Sequence, residues 1–190
     1  MDKSMSVQTE KKSLFTTKQM ALIGVMTAVT CVLGPLSIPL PISPVPISFT
    51  NLAVYLALYV LGMKAGTVSY LIYMLLGMVG LPVFSGFSGG LGKLAGPTGG
   101  YLVGFIFMAL IGGWAIDHFP GKYAIHVIGL VLGTAVCYIF GTVWLSGQLG
   151  MTFAAGLGIG VIPYLPGDAA KILFALIIGP RLRKEVQRIR

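Results

Sequence analysis

The last long apolar stretch of the chain reads Pro166-Gly167-Asp168-Ala169-Ala170-Lys171-Ile172-Leu173-Phe174-Ala175-Leu176-Ile177-Ile178-Gly179. Past Asp168 everything as far as Gly179 is apolar except Lys171, so one acid and one base lie in or at the edge of a segment suited to a bilayer. Ionisable groups at a membrane helix centre cost about 2.5–3.5 kcal/mol each and mark a functional site by default. Three residues apart, the two share a helix face and can pair. A helix starting after Pro166-Gly167 puts Asp168 in its first turn, where backbone N–H groups and the positive dipole end favour a carboxylate. One role is therefore local: a cap neutralised by an ion pair. A second is a polar anchor in an apolar pocket, the carboxylate accepting from ligand N–H groups and the ammonium donating to a ligand oxygen.

Composition decides the surroundings of that pair. The 190 residues are 56% hydrophobic and 9% charged, with a mean hydropathy of +0.91, against about 25% charged residues in a soluble domain. No interior of this size hides so much apolar surface, so the expectation is an all-α polytopic membrane protein. Lys3, Lys11, Lys12 and Lys18 precede the first apolar run, and Arg181, Arg183, Lys184, Arg188 and Arg190 follow the last. Positive charge marks the cytoplasmic side, so both termini are expected there and the number of spans is even. The net charge of +8 reads as topology, and nothing in it suggests nucleic acid.

A span needs about 20 apolar residues, fewer where its ends are covered by protein. Six are expected, at 19–37, 48–62, 66–81, 99–117, 123–145 and 163–180, as one membrane domain over 19–180. A cytoplasmic tail covers 1–18, and a basic cytoplasmic tail covers 181–190. The run beginning near Met20 is long and lacks a small-residue cleavage pattern, so it reads as a retained helix and not as a signal peptide. The inner connections, around Lys64 and Lys122, are short and each carries a lysine. The outer ones are long and poor in polar side chains: 35–47 holds Pro35, Pro39, Pro41, Pro44 and Pro46, while 82–98 and 146–162 are rich in glycine. Apolar irregular backbone at membrane depth is tolerated only where it is buried or lines a cavity, so these loops are expected to fold over the bundle and enclose something. Gly24/Ala28, Gly100/Gly104 and Gly129/Gly133 are small pairs at four-residue spacing, suited to close helix packing or, in the first helix, to another membrane protein.

Several classes of chemistry are unsupported. No phosphate loop is present, and Gly90-Leu91-Gly92 lacks the strand-to-helix context of a dinucleotide fingerprint. Cys31 and Cys137 fall inside apolar runs, and His118 and His126 flank a turn without acids at metal-ligand spacing. Five acids in all leave little for acid/base work. The expectation is no enzyme, no metal and no cofactor. A stand-alone channel or carrier would need a polar stripe continuing inward from the site, and none runs below Lys171.

Three blocks carry a resemblance: Pro44-Val45-Pro46-Ile47-Ser48-Phe49-Thr50-Asn51-Leu52-Ala53, then Gly80-Leu81-Pro82-Val83-Phe84-Ser85-Gly86 with Gly89-Gly90-Leu91-Gly92, then Gly96-Pro97-Thr98-Gly99-Gly100-Tyr101-Leu102-Val103-Gly104. With Pro166-Gly167-Asp168 and Lys171 downstream, the chain resembles the BioY family, the biotin-specific substrate-binding (S) components of energy-coupling factor (ECF) transporters. The resemblance implies a six-helix subunit in the cell membrane of a prokaryote that binds biotin at its outer face. It also implies partners: a transmembrane coupling subunit and two ATPases, which drive release inward. That family docks through small residues on its first helix, conventionally Ala-x-x-x-Ala, and Gly24-x-x-x-Ala28 is the nearest match here. By the same resemblance Asp168 would accept from the ureido ring, with Lys171 donating to the ligand or holding the aspartate, and Asn51 would pair with the ligand's other end or cap or bridge helices. Gly99 and Gly100 would admit close backbone approach or tight packing. Phe49, Phe84, Tyr101 and Tyr164 would wall the apolar ring and chain or form an interfacial belt, Ser85 lies beside them, and Lys93 attracts the ligand carboxylate or faces water.

Overall fold

A computed structural model describes residues 14–189. Helix α1 (Thr17–Leu33) opens with a capping box: the Thr16 hydroxyl accepts from Gln19 N at 3.3 Å and the Gln19 side chain accepts from Thr16 N at 3.0 Å. It stops at Gly34-Pro35, where the proline has no N–H to continue the ladder. Then follow strands β1 (Ser37–Leu40) and β2 (Ser43–Ser48), α2 (Thr50–Leu61), α3 (Met63–Met78), the short α4 (Leu91–Ala95), α5 (Gly99–His118), α6 (Tyr123–Leu149), α7 (Phe153–Gly160), a 3-10 turn at Ile162–Tyr164, and α8 (Leu165–Ile189).

The all-α expectation is corrected at one place. The proline-rich segment forms an antiparallel hairpin, with Ser37 opposite Ser48 and Ile38 opposite Ile47. A two-stranded ribbon consists only of edges, so Pro39, Pro44 and Pro46 can occupy positions that need no ladder N–H. Two more expectations shift. The glycine-rich stretch 146–162 contains α7, and α8 runs through Pro180 to Ile189, so the basic run from Arg181 continues a helix where a tail was expected. An interior proline removes one N–H without ending a helix whose flanks are held by neighbours. Of the expected N-terminal tail, residues 1–13 lie outside the described ones. Among the described residues, α5, α6 and the segment Phe153–Arg188 are long and apolar enough to cross a membrane, while α1 and α2 are shorter apolar helices.

Helix α2 sits at the centre, packed against α1, α3, α5 and α8 and buried nearly all round, the pattern of a helix without a solvent face. Its exit is fixed from afar. Gly62 takes a φ of +82°, which favours glycine, and Asp117 at the end of α5 accepts from Met63 N at 2.7 Å, capping α3. Helices α5 and α6 form the closest pair. A Cβ on Gly104 would stand 2.9 Å from the Cys137 Cα, and one on Gly133 would stand 3.0 Å from the Met108 carbonyl oxygen. Gly24 is different: it lies on the exposed face of α1, and a Cβ there would meet nothing within 4 Å.

The proline- and glycine-rich loops are pinned. Phe84 is fully buried, edge-on to Tyr73 with ring centroids 5.6 Å apart, and the Tyr73 hydroxyl donates to the Val83 carbonyl at 2.9 Å. Trp144 Nε1 donates to Gly96 O at 2.9 Å, and the Tyr164 hydroxyl bonds Ser43 Oγ at 2.8 Å and the Val45 carbonyl, tying the hairpin to the head of α8.

Gly104→Leu is expected to destabilise the fold by about 1–3 kcal/mol through overpacking of α5 on α6. Gly24→Leu, on the open face, should leave the detergent melting midpoint unchanged; equal effects of the two would refute the assignment of faces.

Candidate ligand-binding site

The heads of α2 and α8 lie side by side, and together with the middle of α6 they assemble one polar cluster. Asp168 and Lys171 are only 8% and 9% exposed. Asp168 Oδ1 accepts from Asn51 Nδ2 at 2.8 Å and from Lys171 Nζ at 3.0 Å, and Oδ2 accepts from the Tyr138 hydroxyl at 2.5 Å. Lys171 Nζ also donates to Ser48 O at 2.6 Å and Asn51 Oδ1 at 3.1 Å, with the Phe49 ring centroid 5.7 Å away.

A donor count follows from these distances. An ammonium has three protons, and three protein acceptors already surround this one, so Lys171 holds the cluster together and keeps no donor in reserve. A carboxylate has about four lone-pair sites. Two partners sit on Oδ1 and one on Oδ2, which leaves one acceptor position on Oδ2 for a further N–H.

Asp168 lines a cavity between the heads of α2 and α8, α5 and α6. Of the residues singled out by sequence, Asp168, Lys171, Asn51, Ser85, Tyr101 and Tyr164 line it. Asn51 stands in the same cluster as Asp168 and bridges α2 to α8, one of the two roles the sequence left open for it: the first turns of the two helices are neighbours, so their polar residues converge. Phe49, Phe84, Gly99 and Gly100 stand outside the lining. Phe84 belongs to the core beneath the loop, and the two glycines pack against Leu94 and Trp144 at the entry of α5. Lys93 also lies outside the lining, half-buried on α4, where burial lowers its ammonium pKa from the usual value.

Sequence reasoning missed Tyr138, Thr134, Cys137 and Phe105, which also line the cavity. On α6, Thr134, Cys137 and Tyr138 recur at helical spacing, and a tyrosine and a threonine in a 27-residue apolar helix were the available signal.

Lys171→Met leaves Asp168 buried without its counter-charge and is expected to cost about 3–5 kcal/mol of stability. The double variant Asp168→Asn with Lys171→Met should recover much of that loss in thermal or denaturant unfolding. Additive losses would show that the pair is uncoupled.

The comparisons agree on one family. A biotin transporter BioY from Thermotoga maritima is 37% identical over 172 residues, covering 90% of this chain and 99% of that protein. A probable biotin transporter BioY from Pyrococcus horikoshii is 37% identical over 166 residues, covering 87% of this chain and 96% of that one. Among solved structures, the S-component for biotin from an ECF-type ABC transporter superposes with a TM-score of 0.82 at 31% identity, over 88% of this chain and 91% of that one. Residues 5–188 match the BioY family throughout, and the chain belongs to that family.

Proposed function

We propose that this chain is the biotin-binding S component of an ECF-type uptake transporter in a prokaryotic cell membrane. It would cross the membrane six times, through α1, α2, α3, α5, α6 and α8, with both termini cytoplasmic and the cavity opening outward. The observation that carries the reading is the buried carboxylate of Asp168, whose Oδ2 has one hydrogen-bond partner, in the wall of a cavity that also presents Leu102, Phe105 and the rings of Tyr101 and Tyr164. Biotin matches that arrangement: its ureido ring offers N–H donors, and its thiophane ring and valerate chain need an apolar wall. Asp168 accepts from one ureido N–H, while Tyr138, Asn51 and Lys171 fix the orientation of the carboxylate. Tyr101, Tyr164, Leu102 and Phe105 wall the apolar part.

Delivery needs a partner, because the chain carries no nucleotide-binding motif. The exposed Gly24/Ala28 face of α1 suits the transmembrane coupling subunit of a module with two ATPases, since small residues admit close approach between helices in lipid.

Titration of the purified protein should show tight biotin binding and no comparable binding of thiamin or riboflavin; equal binding of all three would refute the specificity. Asp168→Asn removes one charge-assisted hydrogen bond, and affinity is expected to fall by about 10- to 150-fold. A change below about threefold, well under 1 kcal/mol, would make Asp168 purely structural. Gly24→Trp and Ala28→Trp should abolish co-purification with the coupling subunit while biotin binding persists, and undiminished assembly would exclude that face.

A further inference from the structure

A second cavity, with an empty volume of about 810 Å³, lies between the α5–α6 turn, the first turn of α6 and α8 beyond Pro180. It stands at the far end of α8 from Asp168, twelve residues or about 18 Å of helix away. Its charge is one-sided: Arg181, Arg183 and Lys184 line it, and no acid does. Arg183 Nη2 reaches Asp117 Oδ1 at 3.0 Å, whereas Nη1 is buried without a hydrogen-bond partner among the described residues. A buried, unpaired guanidinium nitrogen is costly and calls for an acceptor. Asp117 does not supply it: its Oδ1 accepts from Nη2 and its Oδ2 from Met63 N. Arg181 and Lys184 have no ion pair among the described residues, and Glu185 is engaged by Arg188 at 3.0 Å. Both ring nitrogens of His126 have partners within the protein: Nε2 lies 2.9 Å from Phe119 O and Nδ1 lies 3.3 Å from the Tyr59 hydroxyl.

The occupant can be read from the helix face. Leu173, Ile177, Arg181 and Lys184 follow one another at intervals of four, four and three residues, so they form one stripe along α8. Leu173 and Ile177 are 61% and 60% exposed, and Tyr123 at the cavity rim is 54% exposed. The stripe thus passes from bare aliphatic surface to unpaired cations, with an amphipathic ring at the junction, in the order of acyl chain, interface and headgroup. The helix dipole of α6 adds its positive end at the same place.

We propose that this cavity is a lipid site, seating the phosphate of an anionic phospholipid on Arg181, Arg183 and Lys184 with an acyl chain along Leu173 and Ile177. It rests on the membrane-spanning reading and is independent of the identity of the transported ligand. The shared chemistry is a phosphate, and a bilayer supplies it already attached to the aliphatic chain that the exposed half of the stripe requires. The test is native mass spectrometry of the full chain released from bilayers containing equal phosphatidylglycerol and phosphatidylcholine, with biotin binding measured in parallel as a control on folding. Selective retention of phosphatidylglycerol is expected, weakened about 30-fold in Arg181→Gln/Lys184→Gln by loss of two interfacial cations. Biotin binding should not change in that variant, and a large excess of inorganic phosphate should not displace the lipid. Equal retention of the two lipids, or retention unaffected by the double variant, would overturn the proposal; displacement by inorganic phosphate would make a free anion the ligand and overturn the lipid. Should the variant fail to fold, the wild-type melting midpoint decides: it must rise in phosphatidylglycerol relative to phosphatidylcholine, and no difference counts against the site.

Discussion

A carboxylate and an ammonium inside an apolar bundle need partners in place of water, and that demand organises the end of this molecule where α2 and α8 begin. The pair satisfies each other only in part. The remaining bonds come from Asn51 and Ser48 at the head of α2 and from Tyr138 on α6. Three segments distant in sequence are thereby fixed in register at one point. Rigidity of that kind is what a binding site needs, because a carboxylate held by three donors cannot turn away from a ligand.

The rest of the bundle supports this point by close approach. With lipid as apolar as the side chains, association relies on packing, and the glycines between α5 and α6 bring the two backbones near enough to hold Tyr138 where it reaches Asp168. The hairpin and the glycine-rich loops are anchored at the same end: Phe84, Val45 and Tyr164 are buried in one core with the helices.

Much of this was readable from residues. The excess of apolar over charged residues gave a membrane fold, and the isolated Asp168 and Lys171 gave the site, because burial makes such groups conspicuous. The hairpin was not legible, since prolines argue against strands in general and only an isolated two-stranded ribbon tolerates several of them. The continuation of α8 past Pro180 was hidden for a related reason: propensity treats proline as a stop, whereas packing decides. Tyr138 escaped because a tyrosine in an apolar helix carries no charge to betray it, and nothing local says that the heads of α2 and α8 are adjacent, so the bond between Asn51 and Asp168 was not legible. For Gly99 and Gly100 the sequence left ligand approach and tight packing open, and both pack closely at the entry of α5.

The separation of the partners along the chain has a consequence for biogenesis. Asp168 and Lys171 are close in sequence, whereas Asn51 and Ser48 lie more than a hundred positions upstream. The two charges therefore compensate each other within one helical turn as soon as α8 forms, before any other partner is needed. Their other partners wait in α2, made early and without company for its polar head. The site is the last part of the molecule to come into existence, completed only when the final helix docks, so a chain truncated before α8 has every wall of the cavity except the one that carries its charge.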